Sequence, residues 1–594
     1  MANQHSHRIT RRDFIKIGGA VLGGAALAGC GRRARLIELT ATPTPLATAT
    51  QLLPTGTATA VPAEVAETIL VNGNIVTMDA GRSIARGLAI KNGLILATGD
   101  EQAMRNLAGE HTQIIDLGGR TVTPGLIDAH CHLSACGLLG TAFVDISWPK
   151  VSTIEAMQQL LAERIATTPA GEWVIASGWL TFQGRYPTKH DLDPVSPNHP
   201  VSALNQGGHM AAVNSLALEM AGVNASTPDP GNGRFLRDDN GEPNGTVLNH
   251  PAMDYFRKLW PASITDVGTM ETSILTPQAT FASYGVTSFQ DVYARDMERV
   301  QAYFNIARRG EMTIRGQFMN VLEYARELEG RIQAIESRRY EDDYMHFAGA
   351  KFQVDGGLEA SFTHEPHNGI AYDIPIWQPE YLNLVVGAFH DAGYQVSIHT
   401  IGDAALDMAL DAIELAMNAN PRPDPRHRIE HCVLGTPASF QREKELGVII
   451  STQPTLIRTF ADGAARIWGE ERAQQMVPTR TWLEMGIPIC LSSDAPSMPF
   501  WDPQHTLWAS LMRLSPSNKP ISQDQALTME EAMYAHTMAG AYADFAEGKK
   551  GSLEAGKFAD LAVWHDDPYA AAIEDIVNLT IDMTMVGGKV VYQA

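Results

Sequence analysis

The stretch Gly125–Leu133, GLIDAHCHL, places two histidines one residue apart at the end of an apolar run. Successive side chains of an extended strand alternate sides, so His130 and His132 point to one face and Cys131 points to the other. Asp128 shares the face of the histidines. Two neutral imidazoles on one face can hold a divalent metal ion, and a nearby carboxylate can orient a ring. An H-x-H pair alone is a weak signal, so the interpretation depends on further ligands elsewhere in the chain.

Apolar strand-like runs alternate with helical stretches through the middle of the chain, which predicts repeated β-α units around a parallel sheet. The predicted strands are VTPGLIDAHCHL (122–133), GVTSFQDV (285–292), AGAKFQVDG (348–356), YQVSIHT (394–400), RHRIEHC (426–432), GVIISTQP (447–454) and IPICLSSDAP (487–496). We therefore predict an α/β fold, a (β/α)8 TIM-type barrel over residues 122–548. A Pro-, Gly- and Asn-rich segment at about 141–270 does not fit the alternation and predicts an insertion over the barrel mouth.

Short strands and turns occupy both ends of the globular region. The pairs Asn72-Gly73 and Asn92-Gly93 lie between apolar runs and predict β-hairpins. After the α/β region, the C-terminal residues return to the same pattern of short strands and turns. We predict one small composite β-sandwich built from residues 66–121 and 549–594.

The first residues resemble an export signal and not a part of the fold. In residues 1–29, TRRDFIK (10–16) resembles a twin-arginine signal, and the apolar stretch after it is shorter than the roughly 20 residues that span a bilayer. It ends in LAGC, where Cys30 resembles the lipidated cysteine of a bacterial lipoprotein; the alternative is an ordinary secretory signal with an incidental Cys30. The Thr/Pro-rich residues 30–65 predict a disordered tether. We expect a domain exported by the twin-arginine route and lipid-anchored to the outer face of the cell membrane.

The composition is that of an ordinary globular chain of 594 residues, 44% hydrophobic and 19% charged. The formal net charge of −22 argues against a nucleic-acid partner. Four cysteines, Cys131, Cys136, Cys432 and Cys490, lack the spacing of a disulfide framework and are predicted to be buried free thiols. A homo-oligomer is possible, and the sequence does not define the oligomeric state.

Four further polar residues with ligand or charge chemistry lie in or at the ends of the predicted strands: Lys351, His399, His431 and Asp494. Period-two counting puts His427 and His431 on one face of their strand. The carboxyl ends of the strands of a (β/α)8 barrel meet at one rim, where active sites lie. We therefore expect these side chains to converge with His130 and His132 at one mouth.

This set resembles the amidohydrolase superfamily: H-x-H after the first strand, a lysine on the fourth, single histidines after the fifth and sixth, and an aspartate after the eighth. The words SGW (177–179), GHMAAVNSLAL (208–218), GVTSFQD (285–291), HTIGDAALD (399–407) and SSDAP (492–496) narrow the resemblance to the amidohydrolase 3 branch. That branch includes N-substituted formamide deformylases. The resemblance covers residues 66–594, with the motifs in the expected order.

The resemblance implies two divalent metal ions. Their ligands would be His130, His132 and Asp494 for one, His399 and His431 for the other, and a CO2-derived carbamate on Lys351 as the bridge. Histidine and oxygen ligands favour zinc, without excluding iron, manganese or nickel. In this chemistry a metal-activated hydroxide attacks the carbonyl, and Asp494 moves the proton to the departing nitrogen. The alternative for Lys351 is an unmodified ammonium paired with Asp355 beside a single ion.

The predicted substrate contacts are His209, Trp179, Asp355 and Asp291. Where the family commonly has an arginine-bearing stretch after the fourth strand, this chain has GGLEASFTHEPH (356–367), with Glu359 and His364, so the resemblance does not define the specificity. We hypothesise a metal-dependent amidohydrolase that cleaves the non-peptide C–N bond of a small amide, formamide or cyclic amide. The alternatives are a tethered ligand-binding lipoprotein that has lost catalysis, and an esterase or lactonase with the same metal site.

Overall fold

The computed structural model describes residues 64–182, 184–368 and 375–594. The predicted export signal, Cys30 and nearly all of the tether lie outside the described residues, so these parts of the interpretation stay predictions. Within the described ranges, no helix combines the length and the apolar character needed to cross a membrane. The four cysteines predicted to be free thiols are buried and form no disulfide.

The strands of the described residues form four sheets. In chain order they are β1 (Ala66–Val71), β2 (Asn74–Val76), β3 (Ile84–Ala85), β4 (Gly87–Lys91), β5 (Leu94–Gly99), β6 (Ala108–Asp116), β7 (Thr121–Pro124), β8 (Leu126–Cys131), β9 (Val144–Asp145), β10 (Val174–Trp179), β11 (Val201–Asn205), β12 (Met210–Val213), β13 (Arg234–Arg237), β14 (Pro243–Leu248), β15 (Val286–Ala294), β16 (Arg315–Val321), β17 (Met345–Gln353), β18 (Gln395–Thr400), β19 (Arg428–His431), β20 (Ile449–Thr452), β21 (Ile489–Leu491), β22 (Leu561–Trp564), β23 (Ile581–Val586) and β24 (Lys589–Gln593).

The α-helices lie mainly between the strands of the middle region. They are α1 (Glu101–Arg105), α2 (Leu133–Leu138), α3 (Ile154–Ile165), α4 (Lys189–Leu192), α5 (Ser215–Ala221), α6 (Asn249–Arg257), α7 (Val267–Leu275), α8 (Gln278–Ser283), α9 (Met297–Arg309), α10 (Arg331–Glu336), α11 (Pro379–Asp391), α12 (Asp403–Ala419), α13 (Pro437–Leu446), α14 (Thr455–Trp468), α15 (Glu470–Ala473), α16 (Thr479–Met485), α17 (Pro503–Met512), α18 (Met529–Ala535) and α19 (Met538–Ala543). Short 3-10 helices occur at Asp193–Val195, Ala262–Ile264, Ala325–Leu328, Leu358–Ala360, Gln523–Gln525 and Ile573–Asn578.

Eight parallel strands form the predicted barrel, in the order β8-β15-β16-β17-β18-β19-β20-β21. The sequence pattern predicts seven of these strands but not β16. Polar residues interrupt the apolar run of β16, although Arg315, Gln317 and Asn320 are all buried. A strand whose polar side chains face other buried polar groups does not show the continuous apolar run by which a parallel strand is recognised.

Backbone hydrogen bonds beyond the last barrel strand join it to the first. The N–H of Asp494 donates to the carbonyl of His130 at 2.8 Å, and the N–H of His132 donates to the carbonyl of Ala495 at 2.7 Å. The segments that follow β8 and β21 therefore meet at the carboxyl end of the barrel. This contact puts the first and last predicted metal ligands side by side.

A β-sandwich built from both chain ends accompanies the barrel, as predicted. The sheet β24-β23-β22-β7-β2-β3 combines C- and N-terminal strands, with Leu561 of β22 opposite Pro124 of β7. The second sheet, β5-β4-β1-β6, comes from the N-terminal region alone. Leu70, Leu88 and Met585 belong to one apolar core between the two sheets. The domain boundaries assigned from the sequence stay predictions.

Of the two predicted hairpins, one forms. Asn92 and Gly93 have φ angles of 51° and 76° and connect β4 to β5, which pair as antiparallel neighbours. The prediction at Asn72-Gly73 is wrong, because β1 pairs with β4 and β6 while β2 pairs with β3 and β7. A type I′ hairpin turn needs positive φ at both central residues, and at that site only Asn72, at 54°, has one.

The insertion forms a sheet of its own, β13-β14-β12-β11-β10-β9. Its apolar core includes Met157, Val174 and Trp179 and is separate from the core of the barrel. The turn between β11 and β12 brings Gln206 and His209 to the cavity at the barrel mouth. The segment therefore covers the mouth, as the sequence analysis predicts.

Candidate metal centre

The carboxyl ends of the barrel strands bring the six predicted ligands to one cavity of about 560 Å³. The positions are His130 at the end of β8 and His132 after it, Lys351 on β17, His399 on β18, His431 at the end of β19, and Asp494 after β21. All six line the wall of this cavity. Because they come from five strands, the barrel itself creates the cluster.

His130, His132 and Asp494 form the tightest part of the cluster. Asp494 Oδ1 lies 3.0 Å from Nε2 of His132 and 3.4 Å from Nε2 of His130. One ligand atom from each residue lies within 4.8 Å of the others, a spacing at which the three can share a metal ion.

The donor atoms of this group fit a metal ion. His130 Nε2 and Asp494 Oδ1 are buried and have no hydrogen-bond partner among the described residues. Leaving buried polar atoms without partners costs free energy, and a divalent cation would satisfy both atoms. Burial, reinforced by the charge of Lys351, lowers the pKa of His130 well below its ordinary value, so its ring is neutral and its lone pair can bind a metal.

His399 and His431 lie next to this group. Their ring centroids are 4.5 Å apart, and that of His431 is 4.7 Å from that of His130. Burial lowers the pKa of His431 to about 3 and that of His399 well below its usual range. His431 Nδ1–H donates to Gln453 Oε1 at 2.7 Å, which leaves Nε2 as its ligand atom. His399 Nε2–H donates to the carbonyl of Gly356 at 3.1 Å, which leaves Nδ1.

Lys351 is buried in the wall of the cavity that both histidine groups line. Burial lowers its pKa to about 8, opposed by the charges of Glu430 and Asp494. The pairing with Asp355 considered in the sequence analysis is not present. The Asp355 carboxylate instead accepts backbone N–H groups, from Phe362 at 3.0 Å and from Gly402 at 2.9 Å.

The four predicted substrate contacts separate into two pairs. Trp179 and His209 line the cavity, and the ring of His209 lies 5.1 Å from that of His399. His209 Nδ1 has no hydrogen-bond partner in the part of the chain that the structure describes. Asp291 and Asp355 do not line the cavity; Asp291 accepts a 2.5 Å hydrogen bond from the hydroxyl of Tyr303 below it.

The stretch that departs from the family pattern reaches the cavity with Gly357, Leu358 and Glu359. Glu359 lines the wall, burial raises its pKa, and its Oε1 has no partner among the residues described. His364 points away and pairs with Asp407 at 2.8 Å on the surface. A carboxyl group therefore stands where the sequence analysis expects a determinant of specificity.

Glu430 is a residue of the site that the sequence analysis did not single out. Its Oε2 accepts a hydrogen bond from His130 Nδ1–H at 2.5 Å, and its Oε1 accepts one from Ser397 at 2.7 Å. Arg428 donates to both carboxylate oxygens, at 2.7 and 3.1 Å, and all of these side chains are buried. Glu430 thus fixes the orientation and tautomer of the His130 ring, as the second partner of a metal-binding histidine commonly does.

The alternation of side chains expected along β19 does not indicate this role of Glu430. Counting by two puts His427 and His431 on one face, and this prediction is wrong, because His427 bonds to His390 of α11 at 2.8 Å outside the barrel. His431 has a φ of 66° and Cys432 a φ of 49°, so the chain leaves the extended conformation there. The turn directs both Glu430 and His431 towards the barrel interior. The RIEH motif (428–431) was the available signal, because it places the oppositely charged Arg428 and Glu430 directly before the predicted ligand His431.

Asp128, on the histidine face of β8, holds the segment that carries Asp494. Its carboxylate accepts the N–H of Ser493 at 3.0 Å and the hydroxyl of the same serine at 2.5 Å. Burial raises the pKa of Asp128 to about 6. The contact fixes the position of Asp494 relative to His130 and His132.

Comparisons with known proteins agree with this geometry. A model of the Amidohydrolase family matches residues 113–592. An N-substituted formamide deformylase of Arthrobacter pascens is 27% identical over 544 residues, which cover 88% of this chain and 98% of that protein. Protein LONG AFTER FAR-RED 3 of Arabidopsis thaliana is 30% identical over 551 residues, covering 89% of this chain and 92% of that protein.

A solved structure of an uncharacterized metal-dependent hydrolase from Pyrococcus furiosus shares 26% sequence identity. It superposes with a TM-score of 0.66 and covers 84% of this chain and 99% of that chain. The family match spans most of the chain and includes all six of the converging residues. The chain belongs to the amidohydrolase family and is a metal-dependent hydrolase acting on carbon–nitrogen bonds.

Proposed function

We propose that the protein hydrolyses the non-peptide C–N bond of a small amide, formamide or cyclic amide in the cavity at the barrel mouth. The observation that carries the proposal is the convergence of His130, His132 and Asp494 with buried ligand atoms that lack partners among the described residues. The similarity to a formamide deformylase supports amides as the substrate class.

The donor set suits two divalent metal ions, and histidine with oxygen ligands favours zinc. His130, His132 and Asp494 would hold one ion, and His399 and His431 the other. When bound, such ions act as Lewis acids on the carbonyl oxygen and make water a nucleophile near neutral pH.

The side chains of the cavity would position the substrate and move the proton. Asp494 accepts a proton from the attacking water and returns it to the departing amine nitrogen, as general base and then general acid. His209 has an unpartnered Nδ1 facing the cavity and would hydrogen-bond the amide group. The apolar wall, including Trp179 and Tyr293, excludes bulk water from the reacting bond.

Lys351 in this proposal would carry a carbamate, which would supply oxygen ligands to both ions. The ammonium group would first lose a proton, and the amine nitrogen would then form a bond to the carbon of CO2 and release a second proton. The cation would thereby become an anion with two oxygen donors. Lys351 lines the same cavity as both histidine groups, and Asp355, the alternative partner, is occupied by backbone N–H groups. An ammonium group at this position would repel both ions.

Replacing Lys351 with methionine is expected to remove the bridging donor. Wild-type protein reconstituted with zinc and bicarbonate should bind two ions per chain, and the variant at most one, with a rate lower by about tenfold to a hundredfold or more. Elemental analysis and initial rates measure both quantities. The matched control is wild-type protein reconstituted without CO2, which should resemble the variant; two ions and full activity in that control would contradict the carbamate.

The substrate class is tested by a hydrolysis screen with zinc-loaded protein. The panel contains N-substituted formamides, acylated amino acids, cyclic ureas and lactones, and released amine or acid is measured by mass spectrometry. We expect cleavage of amides, loss of activity on chelation and recovery when zinc is returned. Turnover of lactones alone would favour an esterase or lactonase, and purified protein that neither binds a transition metal nor turns over any compound would favour a binding lipoprotein.

The site of action in this proposal is the outer face of the cell membrane. The paired Arg11 and Arg12 and the lipobox-like LAGC ending in Cys30 support twin-arginine export and a lipid anchor. The twin-arginine route exports folded proteins, so the metal centre would be assembled before transport.

A further inference from the structure

Arg257 is one of the arginines that line the cavity, and no carboxylate of the described residues lies within hydrogen-bond distance of it. Arg257 is the last residue of α6, which follows the insertion sheet, and its side chain is only 10% exposed. It lines the same cavity as the predicted metal ligands. A buried guanidinium is costly unless an anion or a set of acceptors compensates its charge.

The two acidic neighbours of Arg257 are already committed to other donors. Its Nη1 lies 3.7 Å from Asp254 Oδ1 and 3.9 Å from Glu323 Oε1, beyond hydrogen-bond distance. All four oxygens of these two carboxylates have closer donors. These donors are Arg295 at 2.7 Å to Asp254 and 2.6 Å to Glu323, Tyr324 at 2.8 Å to the second oxygen of Asp254, and His250 to the second oxygen of Glu323.

The imidazole beside the guanidinium does not act as its acceptor. Nη1 of Arg257 lies 3.4 Å from Nδ1 of His250, whose proton is directed to Glu323. The two carboxylates therefore partly compensate the charge of Arg257. None of the described residues, however, offers its guanidinium a hydrogen-bond acceptor at close range. An anion in the cavity would supply two, because a carboxylate can accept two parallel hydrogen bonds from a guanidinium.

The surroundings of Arg257 indicate the rest of the ligand. The ring of Tyr293 lies 5.2 Å from that of His132 and 6.4 Å from that of His250. Since His250 is next to Arg257, the rings of His250 and Tyr293 connect Arg257 to the predicted metal ligand His132. Phe143 and Trp260, with ring centroids 5.9 Å apart, form an apolar surface on the same wall. The cavity thus combines a reacting centre, a cation and an apolar pocket within the reach of a small molecule.

We propose that Arg257 binds a carboxylate of the substrate, so that the preferred substrates are amides with an anionic group and an apolar side chain, in the manner of an N-acylated amino acid. The proposal rests on the hydrolytic function proposed above and names its substrate class. Arg257 determines specificity in this view and takes no part in bond cleavage.

A matched pair of substrates tests this directly. N-formylphenylalanine and N-formylphenethylamine differ only by the carboxylate. Wild-type enzyme should prefer the first by about tenfold to a hundredfold in kcat/KM, mainly through KM, the range expected for hydrogen bonds to a charged group. Arg257→Gln should abolish the preference and Arg257→Lys should keep part of it. Equal kcat/KM for the two compounds in the wild type would overturn the proposal, although amide hydrolysis itself would stand.

The control variant is Arg309→Gln, which removes the same charge from the surface, where Arg309 pairs with Glu271 and Glu311. It should leave the preference unchanged.

A binding measurement on metal-free protein separates this inference from catalysis, because no metal ion can then hold the carboxylate. Calorimetry with phenylacetate and with 2-phenylethanol, its uncharged counterpart, is the readout. Arg257→Gln should weaken phenylacetate binding by about tenfold to a hundredfold and leave 2-phenylethanol unaffected. Equal phenylacetate affinity in wild type and variant would exclude the role of Arg257, even if the enzyme hydrolyses none of the amides tested.

Discussion

Replacing Asp494 with asparagine is expected to lower kcat by about 10² to 10⁴-fold, the usual contribution of a general acid–base group. Asparagine keeps the size and one oxygen donor of Asp494 but cannot take up a proton. Metal content should therefore stay near the wild-type value while turnover is lost. Steady-state kinetics on the best amide of the screen, together with elemental analysis of the same preparation, measure both quantities.

The matched control is the same replacement at Asp462, a carboxylate at the rim of the same cavity. Asp462 accepts hydrogen bonds from the backbone and hydroxyl of Ser517, at 2.8 and 2.9 Å, and is held on the surface by them. Asp462→Asn should change kcat by less than about threefold, within the range of ordinary surface substitutions. A wild-type rate in Asp494→Asn would show that another group moves the proton.

Replacing Glu430 with glutamine is expected to lower the free energy of unfolding by about 3 to 5 kcal/mol. Glu430 is the carboxylate that compensates the fully buried Arg428, and its removal leaves that guanidinium as an unpaired charge. Metal affinity should fall as well, by about tenfold to a hundredfold, because the ring of His130 loses the acceptor that orients it. Denaturant unfolding of metal-free protein and competition with a zinc chelator measure the two effects.

A second buried glutamate supplies the control. Glu443 accepts hydrogen bonds from Cys432 at 3.2 Å and Trp482 at 3.1 Å, and burial raises its pKa to about 8. At about pH 6 it is therefore neutral, and Glu443→Gln removes no charge. Its expected cost is about 1 kcal/mol, for one hydrogen bond. If Glu430→Gln cost no more than this control, the paired charge would not be what stabilises the site.

Much of the architecture was predictable because it depends on local patterns. Apolar runs that end in polar residues identified seven of the eight barrel strands, and the polar strand ends predicted six ligands, all of which line the cavity. Where the local pattern was incomplete, the prediction was wrong. The buried polar side chains of β16 concealed a strand, and the conformation of Gly73 prevented a hairpin that its dipeptide favoured.

Residue types and their spacing thus predicted the barrel, the composite sandwich and the residues proposed to bind metal, because alternation and strand ends are properties of a short segment. The partners of those residues came only from the folded chain. Glu430 meets His130 across 300 positions, and Arg257 is left without a close acceptor because Arg295, Tyr324 and His250 occupy the acids beside it. Hydrogen bonds between distant segments depend on how the barrel closes and which donor comes nearest, and no local pattern in the sequence encodes either.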